Sequence, residues 1–208
     1  MSAHILVVGG GSSGTLAANR LRCYCDGDDV RITVIDRNAT RGHRTELPAA
    51  AAPSGPHAPH ALQSREHLQL RDAIEFRHAE AAEADVARSR LRLTDGTTLS
   101  YDVLVVATGT RPRPEAPGSP LSHGRPSFAA RSPGLGDEHG QVPVDPTTRR
   151  SRKHPRVFAI GSAGGGPHPS GPVVHAQAEK LAHAVRAFLA DAPPAPHDPS
   201  GHPATASF

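Results

Sequence analysis

The chain has 208 residues, a formal net charge of +3, 37% hydrophobic residues and only 3% aromatic residues, with no tryptophan. This length suits one domain with tails, and so few aromatics predict a core of Ala, Val, Leu and Ile. The positive charge is spread over scattered arginines rather than a basic block, which argues against nucleic acid as a partner.

The composition also bears on the compartment and on metal chemistry. No segment approaches the roughly 20 apolar residues of a membrane span, and the first apolar run is too short for a signal peptide, so a cytoplasmic location is expected. Cys23 and Cys25 are interpreted as ordinary thiols in a reducing cytosol. The 14 histidines lie mostly beside Pro or Gly without tetrahedral spacing, so no metal site is predicted.

The amino terminus predicts a strand over 4–8, a glycine-rich turn and a helix over 12–24. Gly9, Gly11 and Gly14 follow the G-x-G-x-x-G pattern of dinucleotide-binding turns. In that pattern Gly9 allows the tight turn, Gly11 lets the backbone approach a pyrophosphate, and Gly14 lets the helix pack closely on the strand. The first amides of the helix then face the phosphates.

A second buried strand is predicted over 31–36, parallel to the first because a right-handed crossover joins them. Asp36 ends this strand, roughly 20 residues past the glycines. An acidic residue there is placed to accept hydrogen bonds from a ribose hydroxyl pair. The alternative, a glycine turn with an incidental acid, is disfavoured by the full strand–turn–helix–strand context.

The middle of the chain predicts a loop over 37–63 and a short helix that begins with Ser64 as its N-cap. A β-rich section follows over 74–100. Its clearest feature is a hairpin that turns at Asp95-Gly96, which predicts a small antiparallel flap.

Two further apolar runs, at 103–106 and 157–160, predict buried parallel strands. Residues 111–139 are rich in Pro, Gly and Ser and are predicted to be a linker, with a short extended piece at 141–145. The clearest amphipathic helix is predicted over 173–189, and a proline-rich disordered tail over 191–208. The expected fold class is therefore α/β, a Rossmann-like parallel sheet with a small antiparallel flap.

Three motifs in this order carry a resemblance to a known family. They are the glycine turn with Asp36, Tyr101-Asp102-x-Leu104-Val105-x-Ala107-Thr108-Gly109, and Val157-Phe158-Ala159-Ile160-Gly161-Ser162. Together they resemble the pyridine nucleotide-disulfide oxidoreductase superfamily, and most closely its branch of type II NADH dehydrogenases and sulfide:quinone reductases. The resemblance covers roughly residues 4–118 and 140–190.

The resemblance implies an FAD-binding domain formed by residues 1–110 and 140–190. The turn would hold the pyrophosphate, Asp36 the ribose, and the backbone at Ala81 the adenine edge. Gly161 and Ser162 would approach the ribityl chain. The start of the last helix would face the flavin pyrimidine ring and stabilise negative charge there. The implied cofactor-binding set is Gly9, Gly11, Ser12, Ser13, Gly14, Asp36, Arg37, Ala81, Thr108, Gly109, Gly161, Ser162, Val174 and His175.

The sequence departs from the family pattern in two places. The family inserts a second Rossmann domain, which binds NAD(P)H, where this chain has only 111–139, so that domain is interpreted as deleted. The family also usually has Asp where this chain has Ser162. Ser162 lacks the charged acceptor for a ribityl hydroxyl, which predicts a weaker hold on the flavin.

Two main functions therefore stay open. One is an FAD-dependent oxidoreductase that passes electrons to a small acceptor such as a quinone, aided by a partner chain or a second copy. The other is a non-catalytic module that binds FAD or an adenine nucleotide. A short-chain dehydrogenase is less favoured because neither Tyr24 nor Tyr101 has Lys four residues on. No catalytic acid, base or nucleophile is nominated.

Overall fold

The structure is a computed structural model, and it describes residues 2–25, 29–38, 40–41, 63–64, 70–109, 127–165 and 171–191. The predicted tail beyond 191 and residues 111–126 of the predicted linker lie outside these ranges. The elements in chain order are β1 (Ala3–Val8), α1 (Ser12–Tyr24), β2 (Val30–Asp36), β3 (Thr40–Arg41), β4 (Gln63–Ser64), β5 (Ile74–His78), β6 (Ala81–Asp85), β7 (Arg90–Leu93), β8 (Thr98–Ser100), β9 (Val103–Val106), α2 (Phe128–Arg131), β10 (Val157–Ala159), a 3₁₀ helix (Gly161–Gly164) and α3 (Gly171–Asp191).

A five-stranded sheet in the order β10-β9-β1-β2-β5 forms the centre, and all of its neighbouring strands are parallel. The central strands are continuous apolar runs because both of their faces are covered. Along β1, Ile5 and Val7 face the core that contains α1 and α3, whereas Leu6 and Val8 face the core under the flap. The predicted α/β fold class is confirmed.

The antiparallel flap consists of β6, β7 and β8 in that order. Its hairpin turns at Asp95 and Gly96, as predicted. Gly96 has a φ of +87°, which favours glycine, and the Asp95 carboxylate accepts a 2.8 Å hydrogen bond from the Thr97 amide. Leu91 and Leu93 of β7 are fully buried and fix the flap on the sheet.

Several elements differ from the sequence expectation. β5 is the edge strand of the parallel sheet rather than part of the flap, and its alternating pattern arises because an edge strand is partly exposed. Ser64 lies in β4 and pairs with Thr40, and the short helix predicted after it falls on residues 65–69, outside the described chain.

The end of the predicted linker carries a packed element. Ser127 caps α2, and its hydroxyl accepts a 3.2 Å hydrogen bond from the Ala130 amide. Phe128 and Leu135 are buried in the core beneath the flap. A helix of one turn has too few residues to show helical periodicity among the surrounding Pro and Gly, which is why the sequence did not indicate it.

Candidate nucleotide-binding site

The glycine turn joins β1 to α1 at the carboxyl edge of the sheet. Gly9 has a φ of +105°, and a Cβ added there would lie 2.7 Å from the Ala107 carbonyl oxygen. A Cβ on Gly14 would overlap the Gly9 carbonyl oxygen. These two glycines are therefore required by the fold itself, in the tight-turn and close-packing roles that the sequence predicts.

Gly11 is different because its environment within the described chain imposes no such requirement. It is the N-cap of α1 with a φ of −71°, a conformation open to any residue. A Cβ built on it meets no described atom within 4 Å. Gly11 thus leaves free space directly before the first amides of a 13-residue helix, where the helix dipole favours an anion.

Asp36 is the last residue of β2 and contacts the same turn. Its Oδ2 accepts a 2.6 Å hydrogen bond from the Gly10 amide, and its Oδ1 accepts one of 2.8 Å from the Asn38 amide. A carboxylate has about four lone-pair positions. Asp36 can therefore hold the turn and still accept hydrogen bonds from a ligand hydroxyl. Arg37 follows it with an exposed side chain.

The ends of β9 and β10 lie beside the glycine turn. The Ala107 amide donates a 2.8 Å hydrogen bond to the Val8 carbonyl, and the Thr108 amide nitrogen would lie 3.0 Å from a Cβ on Gly9. Gly161 follows β10 with a φ of +68°, and a Cβ on it would lie 2.6 Å from the Ser13 hydroxyl oxygen. Thr108 and Ser162 are half-buried, whereas Gly109 and Ser12 are exposed.

The first turns of α3 approach this edge through one polar contact. Gln177 Oε1 accepts a 3.0 Å hydrogen bond from the Gly161 amide. Val174 is buried in the core between α3 and the sheet, and His175 is exposed. Gln177 was not nominated from the sequence, although a polar residue on the apolar face of this helix was the available signal.

The adenine-edge position, Ala81, begins β6 and is buried. The Ala79 amide donates a 3.0 Å hydrogen bond to the Asp36 carbonyl, which brings the start of the flap to the end of β2. Arg131 of α2 donates hydrogen bonds of 3.0 Å to both the Ala81 and Ala82 carbonyls. The Ala81 carbonyl is therefore engaged by α2, a contact that the sequence did not predict.

Arg149 is a buried cation that the sequence did not single out. Its guanidinium donates hydrogen bonds to the Ala159 carbonyl at 3.1 Å and to the Gly164 carbonyl at 3.2 Å. It thereby joins both ends of the segment that contains Gly161 and Ser162. Desolvation by burial lowers its pKa. A Cβ on Gly164 would collide with this guanidinium, so Gly164 is required for the contact.

Three features of the described segments suit a dinucleotide. The glycine turn offers open space and helix amides for a diphosphate, and Asp36 offers carboxylate lone pairs for hydroxyls. The ends of β9 and β10 lie beside the glycine turn. These residues lie at the carboxyl ends of parallel strands, the edge where ligands bind open α/β sheets.

The family follows from comparison with known sequences. A family model described as pyridine nucleotide-disulphide oxidoreductase matches residues 3–130. The chain belongs to this family. Its members are flavin-dependent, typically with FAD. The matched range includes the glycine turn, Asp36, the flap and the Ala107–Gly109 motif.

The chain is similar to several kinds of pyridine nucleotide-disulphide oxidoreductase. The ferredoxin–NAD(+) reductase subunit of the benzene 1,2-dioxygenase system of Pseudomonas putida is 28% identical over 123 residues, which is 58% of this chain and 30% of that protein. A thioredoxin reductase from Gloeobacter violaceus has a TM-score of 0.60 at 15% identity, covering 95% of this chain and 98% of that chain. The sulfide:quinone oxidoreductase of Aquifex aeolicus has a TM-score of 0.40 at 17% identity, covering 91% of this chain and 33% of that chain.

The described residues also bear on membranes and metal ions. None of the described helices is both long enough and apolar enough to cross a membrane. In the same part of the chain, no group of three or more His, Cys, Asp or Glu side chains is arranged to hold a metal ion.

Proposed function

We propose that this chain binds FAD along the carboxyl edge of its sheet. The glycine turn would hold the pyrophosphate, with Gly11, Ser12 and Ser13 against it, and Asp36 would hold the adenosine ribose. The observation that carries the proposal is the open space at Gly11. Gly9 and Gly14 are explained by contacts within the chain, whereas a glycine at position 11 is explained by the close approach of a ligand.

The remaining residues of the site would orient the flavin end of the cofactor. Gly161 and Ser162 would face the ribityl chain, and Thr108 and Gly109 would lie against the cofactor. The amino-terminal part of α3, which begins at Gly171 and includes Val174 and His175, would stabilise negative charge on the flavin through the helix dipole. When bound, the flavin supplies the electron-transfer chemistry, while the protein supplies binding, orientation and electrostatics.

We further propose an oxidoreductase role like that of type II NADH dehydrogenases, in which electrons pass through the flavin to a small acceptor such as a quinone. The described residues between β9 and β10 contain α2 and turns but no second glycine turn after a strand. A partner chain or a second copy would therefore have to provide the NAD(P)H-binding surface.

A second candidate is an FAD or adenine-nucleotide module without turnover of its own. Ser162 favours this candidate because a hydroxyl replaces the carboxylate that the resemblance predicts for a ribityl hydroxyl. The shortness of the segment between β9 and β10 favours it as well.

The visible spectrum tests the flavin proposal directly. Purified protein, incubated with FAD and freed of excess ligand, is expected to keep absorption near about 375 and 450 nm, as free flavin does. A spectrum without these bands would rule out FAD binding. When only this chain is present, anaerobic NADH is not expected to bleach the bands. Rapid bleaching would show that the chain carries its own donor site.

A further inference from the structure

A dense group of cations lies just before β10. Residues 149–156 have the sequence Arg-Arg-Ser-Arg-Lys-His-Pro-Arg, so five of these eight residues are Arg or Lys. We refer to residues 150–156 as the basic loop. The expectation of scattered positive charge was wrong for this segment. Its cations follow neither helical nor strand spacing, so only their density along the sequence distinguishes them.

The basic loop encloses one side of an open cavity of about 320 Å³. The cations Arg150, Arg152 and Lys153 all line this cavity. Such a concentration of like charge is unfavourable in itself, because neighbouring cations repel each other. A bound anion would relieve that repulsion.

Two of the cations are already held in position. Arg150 donates a 2.9 Å hydrogen bond from Nε to the Pro155 carbonyl, and its Cζ lies 5.0 Å from the centre of the Phe188 ring. Lys153 Nζ donates a 3.0 Å hydrogen bond to the Gly136 carbonyl, which uses one of its three protons. Fixed side chains lose little conformational entropy when a ligand arrives.

The carboxylate that lines the same cavity, Asp145, is engaged within its own turn. Its Oδ1 accepts hydrogen bonds of 2.8 Å from the Thr148 amide, 3.0 Å from the Thr148 hydroxyl and 2.9 Å from the Thr147 amide. These hydrogen bonds, those of Thr148 first, lower the pKa of Asp145. The cavity therefore keeps three cations against one carboxylate, and its potential is positive.

The cavity is remote from the candidate nucleotide site. The basic loop lies at the amino end of β10, whereas Gly161 lies beyond its carboxyl end. Five residues, three of which form β10, lie between Pro155 and Gly161, a span of at most roughly 20 Å at the usual rise per residue. The Pro155 end of the cavity therefore lies toward the opposite edge of the sheet from Gly161, whereas Arg150 pairs with Phe158 in β10.

We propose that this cavity binds a small polyanion that carries adjacent phosphate groups. Its volume is near the lower end of small-ligand sites, roughly 300–1,000 Å³, which fits a compact ligand. Arginine guanidinium groups contact phosphate oxygens in pairs, and lysine adds a point charge. The hydroxyl of Ser151 lines the same cavity and can donate to one of the remaining oxygens. This proposal does not depend on the proposed function.

Calorimetric titration with sodium pyrophosphate tests the proposal, with NaCl added to match ionic strength. The glycine turn also suits a diphosphate, so the protein is first saturated with FAD. If FAD does not bind, the Gly11→Val variant, which fills the turn, is used instead. Saturable binding at one site is expected, tighter for pyrophosphate than for inorganic phosphate. Arg152→Gln and Lys153→Gln are each expected to weaken it about tenfold.

Arg88→Gln is the matched control, because Arg88 is an exposed arginine on the flap, far along the chain from the basic loop. Pyrophosphate affinity should be unchanged in this variant. Equal losses in all three variants would show only a general effect of charge and would overturn the proposal. The proposal would also be overturned if no saturable binding were observed. It would likewise be overturned if an oligonucleotide or polyglutamate bound more tightly than pyrophosphate.

Discussion

Asp36 Oδ2 lies 2.6 Å from the amide nitrogen of Gly10, so the acidic residue at the end of β2 also fixes the glycine turn. The contact links the two parts of the nucleotide site before any ligand is bound. Because an acceptor that carries charge makes the stronger hydrogen bond, this one contributes to the stability of the turn as well as to its shape.

Replacing Asp36 with alanine is expected to lower the free energy of unfolding of the apoprotein by about 1–3 kcal/mol, because the Gly10 amide loses its acceptor. FAD affinity should fall at least about tenfold for the same reason and through loss of the ribose contact. Urea unfolding and flavin titration measure the two effects. Asp29→Ala, at an exposed aspartate before β2, should change neither. An unchanged unfolding energy in Asp36→Ala would contradict the role in the turn.

The glycines of the turn are expected to separate into two kinds. Gly9→Val should cost at least about 3 kcal/mol of unfolding free energy, because its φ is +105° and its Cβ would press on Ala107. Gly11→Val should cost about 1 kcal/mol, since its backbone suits any residue and only the N-cap preference is lost. FAD affinity should nevertheless fall by more than about tenfold in Gly11→Val. Retained affinity in that variant would contradict the ligand role of Gly11.

Ser162 offers a gain-of-function test. Ser162→Asp restores a charged acceptor, and a hydrogen bond to a charged group contributes about 1.5–3 kcal/mol, so FAD should bind at least about tenfold more tightly. Equilibrium titration followed by flavin fluorescence measures this change. Ser2→Asp, at an exposed serine before β1, adds the same charge elsewhere and should leave affinity unchanged. Weaker binding in Ser162→Asp would place Ser162 away from the ribityl hydroxyls.

Arg149 is expected to hold the Gly161–Gly164 segment in its conformation. Arg149→Met keeps the length of the side chain but leaves the Ala159 and Gly164 carbonyls without its hydrogen bonds, which predicts a loss of about 2–4 kcal/mol in unfolding free energy. FAD affinity should fall with it. Arg152→Met removes an exposed arginine from the same region and should alter neither measurement. Comparable losses in both variants would exclude a specific role for Arg149.

The elements that the sequence predicts well are those with a strong local pattern. The predicted bounds of α1 match the structure because a glycine turn precedes it and apolar residues recur at helical spacing. Four of the five parallel strands, β1, β2, β9 and β10, are apolar runs, and the parallel pairing of β1 with β2 follows from the crossover rule. The hairpin at Asp95-Gly96 has its own turn chemistry.

The contacts that the sequence does not reveal are those between segments distant in the chain. Arg131 reaches Ala81 across 50 positions, and the His4 amide reaches the Asp102 carboxylate across 98. Nothing local marks Arg149 as buried, since an arginine is ordinarily exposed. The role of Asp36 in fixing Gly10 likewise depends on the turn and the second strand meeting at one edge.

A polar chain at the opposite edge of the sheet, in which His4 and Thr33 are buried, has a consequence for pH. His4 Nε2 lies 3.0 Å from the Thr33 hydroxyl, which donates a 3.0 Å hydrogen bond to Glu75 Oε2, and Arg31 Nη2 lies 3.1 Å from His4 Nδ1. Because Thr33 donates its proton to Glu75, His4 Nε2–H donates to Thr33, while Nδ1 lies between the Arg31 donor and the Ser100 carbonyl, an acceptor 3.0 Å away. Burial first, and then the Arg31 charge, lower the pKa of His4 from 6.5 to about 4 against the opposing effects of the Ser100 carbonyl, Glu75 and Asp102.

His4 should therefore make the fold sensitive to acid. Between pH 6.5 and about 4 the unfolded chain binds a proton that the folded chain does not, so stability is full above pH 6.5 and falls as pH is lowered through that window. The expected loss from this group is about 3 kcal/mol. Urea unfolding at pH 7 and pH 4.5 measures most of it. His4→Gln, which keeps an N–H donor but cannot titrate, should show a shallower dependence on pH, while His139→Gln, at an exposed histidine, should retain that of the parent protein. An equal dependence in His4→Gln and the parent would show that other groups, and not His4, set the acid sensitivity.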